Sequence, residues 1–390
     1  MSLQERNNIG NGRRRIFSVY TLVMVVAVVA TVVTAMWLWL TVRERRDGKQ
    51  EEKERTLEEA TLRALGPMKA SDPHLLRLLQ ERYLEPPFPG PPDLMLDRTG
   101  PEAERYNIYR TRFSSWMRTN RIIKTLFSSA PPGFFVEAGA LDGEFISNTL
   151  HLERELGWTG LLVEADTTLY SALAGKRRRA WSSRGCLSPT AYPQELIFHG
   201  YFADASASVD THLLVRSTGN LEGVQAPAAG QMGTQHRQVV QCFPLLSFLL
   251  AVNTTALQYV SLDVEGAEAD ILINLPWEEV DVAVWTIEHK VNTDKFKNIY
   301  EQPLLTSGTE TSEVEVLNTS FKTTSSLRSA PVKAVTKVVY YAAQRDPSQG
   351  KDPYFIRFMQ ERGYVLYDYW DGDYTFIKRN SSICQRHCPA

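Results

Sequence analysis

Apolar positions along the chain fall into one long run and many short ones. The long run, residues 16–42 (IFSVYTLVMVVAVVATVVTAMWLWLTV), carries no charge. A helix crossing a bilayer core needs about 20 apolar residues, and this run exceeds that. It also exceeds the h-region of a cleavable signal peptide, about 7–15 residues, and no convincing cleavage site follows it. Trp37 and Trp39 near one end and Tyr20 near the other suit the two membrane interfaces. The pattern predicts one transmembrane signal-anchor over 16–42 behind a tail of residues 1–15. The next stretch, 43–64, is rich in Glu, Arg, Lys and Ala and predicts a solvated helical stalk held by i,i+4 charge pairs. DPHLLRLLQERYL (72–84) has leucines at helical spacing, and EPPFPGPPD (85–93) predicts a polyproline-type spacer. Stalk and linker together cover 43–104.

Beyond them the short runs alternate in period. Strands are predicted at 134–138, 160–164, 180–186, 259–263, 283–288, 363–369 and 374–378, and helices at 106–127, 147–156, 169–174, 244–250, 267–275 and 353–361. Short apolar strands alternating with helices predict an α/β domain over 105–380 with a doubly wound, mostly parallel sheet. WDGD (370–373) between the last two strands is a hairpin signal, so the last strand should run antiparallel. The Ser- and Thr-dense stretch 307–329 reads as a loop, and 381–390 as a C-terminal tail.

Charge adds an exclusion. The 390 residues hold 43 Lys and Arg against 45 Asp and Glu, which leaves no electrostatic footprint for nucleic acid. Basic residues flank the apolar run on both sides and do not orient it. Three N-glycosylation sequons, at Asn253, Asn318 and Asn380, and all four cysteines lie beyond the run. An even cysteine count there suits an oxidising lumen. The expected topology is type II: a cytosolic tail, one anchor and a large lumenal part in the secretory and endosomal system.

Candidate chemistry sits at predicted strand ends. In GFFVEAGALDGEF (133–145), Gly139 and Gly143 are four apart, and Glu137, Asp142 and Glu144 surround them. A dinucleotide site wants G-x-G-x-x-G around a pyrophosphate. Here the middle glycine is missing, and each close carboxylate–phosphate pair would cost about 1 kcal/mol or more. S-adenosylmethionine carries a sulfonium, an ammonium, a carboxylate and a ribose diol and no phosphate, so it suits these acids better. Glu164, at the end of GLLVEAD, is placed to accept both ribose hydroxyls. A second cluster, Asp263, Glu265 and Glu268 in YVSLDVEGAEADIL, crowds three carboxylates at a strand tip. Such acids could bind the cofactor's charged end, orient an acceptor hydroxyl or help to deprotonate it. His289 in IEHK, beside Glu288, is a further catalytic candidate. CQRHC (384–388) has too few well-spaced ligands for zinc, so no metal site is expected.

FVEAGALDGEFISNTLHLERELGWTGLLVEAD, CLSP, CFPLLSFLLA and DVEGAEADIL together resemble the FkbM-type methyltransferase domain, in its metazoan, Star-like branch. The likeness runs over residues 72–379. It implies a Rossmann-like methyltransferase fold and, from bacterial members, O-methyl transfer from S-adenosylmethionine. From Star-like members it implies transport of membrane cargo through endoplasmic reticulum, Golgi and endosomes, the domain binding membrane or secreted proteins. By position, Glu137, Gly139 and Gly143 match the first cofactor motif and Glu164 the ribose acid, while Asp263, Glu265 and Glu268 match the acidic signature. Asp142 departs from the apolar residue of the bacterial pattern. Within such a domain Cys186 and Cys242 are expected to pair, leaving Cys384 and Cys388 for a local or intermolecular link.

Overall fold

A computed structural model of the protein describes residues 66–111, 113–202, 220–222, 234–289, 294–301 and 350–388, with most of 24–61. The tail 1–15, the Ser/Thr-rich stretch 307–329 and Asn318 lie outside the described residues. Strands in chain order are β1 (Leu84–Glu85), β2 (Phe134–Ala138), β3 (Thr159–Val163), β4 (Trp181–Ser183), β5 (Cys186–Leu187), β6 (Gln194–Phe202), β7 (Asn220–Leu221), β8 (Thr234–Phe243), β9 (Ala256–Leu262), β10 (Asp281–Glu288), β11 (Tyr364–Trp370) and β12 (Asp373–Lys378).

Eight of them form one mostly parallel sheet in the order β1-β4-β3-β2-β9-β10-β12-β11. β4, β3, β2, β9 and β10 run parallel, while β12 lies antiparallel between β10 and β11. From β2 the chain moves outward to β3 and β4, then returns to lay β9 and β10 on the other side. The strand order therefore reverses between β2 and β9, as expected of a doubly wound sheet. The central strands are apolar because helices cover both faces: Phe135, Val136, Leu161, Leu162, Tyr259, Val260 and Trp285 are all fully buried.

Two expectations change. The strand predicted over 180–186 divides: β4 joins the large sheet and β5 joins a second one, ordered β5-β8-β6-β7. The long antiparallel β6–β8 pair has no strand signal in the sequence because its apolar residues alternate with polar ones: Phe198, Val240 and Cys242 are buried while Val239 is exposed. The helix predicted over 106–127 is two, Pro101–Arg110 and Ser114–Leu126. Phe113 leaves helical geometry at the break, and its ring packs edge-on against Phe145.

The leucine-rich segment behaves as its spacing predicts. Asp72 caps the helix Pro73–Leu78 and a π-turn carries the chain to Tyr83, with Leu75, Leu78 and Leu79 buried. Among the described residues one helix, Val26–Glu54, is long and apolar enough to cross a membrane, and none of its apolar window is covered by protein. It continues past the predicted end at residue 42 into the stalk, where Lys53 pairs with Glu81 and Leu57 is buried against the domain.

Cys186 and Cys242 are joined, fastening β5 to β8 at matched register, and Cys384 pairs with Cys388 along the helix Ser382–His387. Asn253 and Asn380 are exposed in turns, so both sequons are open to a transferase.

Candidate functional site

The C-terminal ends of β2, β3, β9 and β10 open onto a cavity of about 380 Å³. It lies where the strand order reverses, the place at which open α/β sheets bind ligands. Helix Ser114–Leu126 contributes Ser114, Ser115 and Trp116 to one wall, and the second sheet contributes Leu187, Phe198 and Leu221 to another. The hairpin turn between β11 and β12 adds Asp371 and Asp373.

Two features of the first motif bring backbone close to this space. Gly139 has φ +81°, and a Cβ there would sit 1.9 Å from the carbonyl oxygen of Asp263, so no other residue fits between the tips of β2 and β9. Past it, the backbone N–H of Leu141 donates to Glu164 Oε2 at 2.8 Å. Glu164 also accepts the N–H of Asp166 at 2.8 Å, and burial pushes its carboxyl up to about 8. A further backbone hydrogen bond comes from Ala165, and Glu164 lines the cavity.

Glu137 lines the cavity as well, but both its oxygens are engaged by the chain itself. Oε1 accepts the N–H of Asn148 at 2.6 Å, and Oε2 accepts the hydroxyls of Ser147 and Thr149. Burial raises its pKa, while the nearby Arg178 and these hydrogen bonds oppose the shift. Asp142 and Gly143 do not line the cavity. Asp142 closes its own turn by accepting the N–H groups of Glu144 and Phe145, and Lys176 Nζ stands 3.4 Å away. Gly143, at φ +77°, offers its carbonyl to Arg178 below the loop.

At the tip of β9 the crowding expected from sequence is present. Asp263 is enclosed by the fold yet exposed into the cavity. Burial, then Glu288, Glu265, Asp373 and Glu268, hold its carboxyl well above the usual range. Glu265 lines the cavity at φ +55°. Glu268 does not: it folds back to accept the N–H groups of Val264 (2.7 Å) and Gly266 (2.9 Å), and burial pushes it to about 8. Asp263, Glu268 and Glu288 each bring an oxygen within 4.8 Å of the others, a donor set a hard divalent cation could accept and one not expected from sequence.

His289 is placed elsewhere. It is buried outside the cavity, its Nε2 is 2.9 Å from Asp352 Oδ2, and its ring packs on Phe296 and Phe355. Asp352 in turn caps the helix Pro353–Glu361. The histidine thus anchors a helix start, and the structure does not bring it to Asp263 and Glu265.

Asp371 and Asp373 were read from sequence only as turn residues. Their nearness to the site follows from pairing: antiparallel β12 starts where parallel β10 ends, and Glu288 registers with Asp373. Phe198 and Leu221 belong to the second sheet and had no sequence signal at all. Comparisons with protein-family models, curated proteins and solved structures find no match to this chain.

Proposed function

We propose that this chain is a single-pass membrane protein whose lumenal part is an FkbM-type, Rossmann-like methyltransferase domain that binds S-adenosylmethionine in the switch-point cavity. The observation that carries the reading is the cavity itself: Gly139 and the buried Glu164 face one space with Asp263 and Glu265. The residues fit the cofactor's chemistry. Glu164 can accept a ribose diol, and carboxylates suit an ammonium and a sulfonium. When bound, the cofactor supplies an electrophilic methyl group. Asp263, with its raised proton affinity, is suited to take the proton from an acceptor hydroxyl on a sugar or lipid, and Glu265 to orient that hydroxyl. The sheet order, with antiparallel β12 between β10 and β11, supports the same fold reading.

Calorimetry on the full chain in uncharged detergent tests this. S-adenosylmethionine or S-adenosylhomocysteine should bind with a Kd on the order of micromolar, and Glu164→Ala should weaken binding about tenfold to a hundredfold. Absence of binding by the folded wild type would remove the cofactor reading.

A second reading has its own observation. Glu137 and Glu268 engage their oxygens in the chain's own loops, as expected of a scaffold kept for binding. In that Star-like reading the domain carries membrane or secreted cargo through endoplasmic reticulum, Golgi and endosomes. Both readings share the type II topology, which the exposed Asn253 and Asn380 and the two disulfides support. Glycosidase treatment of the protein from animal cells should increase its gel mobility, and Asn253→Gln with Asn380→Gln should reduce that shift. Unchanged mobility on glycosidase treatment would count against lumenal placement.

A further inference from the structure

The wall of the cavity is one-sided in charge. Among its described lining residues, seven are Asp or Glu and none is Lys, Arg or His. Glu137 and Glu164 stand on the β2–β3 side. The other five, Asp263, Glu265, Glu288, Asp371 and Asp373, stand at the tips of β9 and β10 and on the β11–β12 turn, and so gather on one half. Glu265, Glu288 and Asp373 have contacts of their own within the fold. It is therefore the summed sign of this wall, and not a vacant carboxylate, that selects a ligand. A cleft lined by one sign of charge between low-dielectric walls focuses its field and concentrates counter-ions.

Aromatic rings line the cavity too. Phe113 and Trp116 line the same cavity from the start of helix Ser114–Leu126. Ser115 donates to Asp373, and Arg118 pairs with Asp368, so this helix is fastened against the hairpin that carries the acids. Arg110 already lies 4.8 Å over the Trp116 ring without lining the cavity, an example in this fold of a cation against that ring. A cavity lined by both aromatic rings and carboxylates has the surroundings that hold alkylammonium groups. A ligand of net negative charge, sulfate and phosphate included, would meet only like charge here.

We infer that the β9–β10 half of the cavity binds a ligand bearing a primary alkylammonium group, and rejects ligands of net negative charge. The inference rests on the switch-point cavity as the ligand site and holds with or without methyl transfer. In the transfer reading the hydroxyl acceptor carries the amine. In the cargo reading the amine is a lysine of the bound protein.

The test uses the full chain in neutral-lipid nanodiscs, free and after saturation with S-adenosylhomocysteine. Spermidine, a tri-lysine peptide, a tri-glutamate peptide, calcium chloride and magnesium chloride are titrated separately. At least one of the two amines should bind with a Kd of about 1 mM or tighter, and affinity should fall as salt rises. Asp371→Asn keeps a side chain suited to the left-handed backbone of that turn, φ +49°. It should fold normally and weaken amine binding about tenfold. Spermidine alone binding would point to a free polyamine, and the peptide alone to a basic protein segment; either supports the inference. Binding of neither amine at about 10 mM, equal binding of tri-glutamate, or saturation by calcium or magnesium that no amine displaces would overturn it. The free-protein arm is read even where S-adenosylhomocysteine fails to bind, so the two proposals can fail separately.

Discussion

Asp263→Asn should make the domain more stable and the proposed chemistry far slower. In the native state this carboxyl is enclosed beside Glu288, Glu265, Asp373 and Glu268, and its pKa is raised. The direction fixes the pH dependence. A raised native pKa means that folding favours the protonated form. The stability it contributes is full below the unfolded pKa of about 3.9 and is lost as pH rises through the native value. At pH 8 the wild type thus carries an unrelieved repulsion that asparagine removes. Because the side chain opens onto cavity water, screening reduces the gain to about 1 kcal/mol, or ~2–4 °C in Tm. The advantage of the variant should shrink on acidification towards pH 4, and a thermal melt series over pH 4 to 8 measures it. Loss of a general base should lower kcat about 10²- to 10⁴-fold while S-adenosylhomocysteine still binds. Unimpaired transport of cargo by the same folded variant would instead favour the binding-module reading. A variant less stable than wild type at pH 8 would show that Asp263 holds the fold together rather than straining it.

The contrast between legible and hidden parts of this site has a physical basis. β2 and β3 were readable because a strand covered on both faces needs an unbroken apolar run, and FFVEA and TGLLV are such runs. Gly139 was readable because few residues but glycine take up that backbone, and Glu164 because its distance from the glycine turn reflects one crossover. Asp142 and Glu268 could not be told from their neighbours. Whether a carboxylate turns into a cavity or back onto its own amides depends on a single χ1 and on the backbone of the loop, and spacing is silent about both. Their loops settle it: Asp142 and Glu268 each accept two backbone N–H groups within four residues. His289 misled for a similar reason, because Asp352, its partner, lies 63 positions away. The second sheet stayed hidden because half-buried strands mix polar and apolar residues, and β6 and β8 are far apart in the chain.

Arg178→Met should destabilise the domain by about 3–5 kcal/mol. Its side chain is 1% exposed and that of Glu153 is 0% exposed, with Arg178 Nε 2.7 Å from Glu153 Oε2. The same guanidinium donates to the carbonyl of Gly143 and to Thr149 Oγ1, so one cation ties helix Leu150–Leu156 to the glycine loop that edges the cavity. Methionine fills the space but leaves a buried carboxylate without its cation and a buried carbonyl without its donor. Arg179 N–H still bonds Glu153 Oε1 and cannot replace that charge. Glu137 would also lose the cation that opposes the upward shift of its carboxyl, loosening the loop over residues 147–149. The double variant Arg178→Met/Glu153→Leu removes both charges together and should recover most of the loss, because a matched apolar pair avoids the uncompensated ion. Urea melts at constant m-value read both numbers. A loss below about 1 kcal/mol for the single variant would place this pair with ordinary surface bridges. Equal losses in single and double variants would assign the effect to packing instead of charge. If the single variant folds, S-adenosylhomocysteine affinity should fall with stability, since the loop that Arg178 supports is the one that brings Gly139 and Leu141 to the cavity.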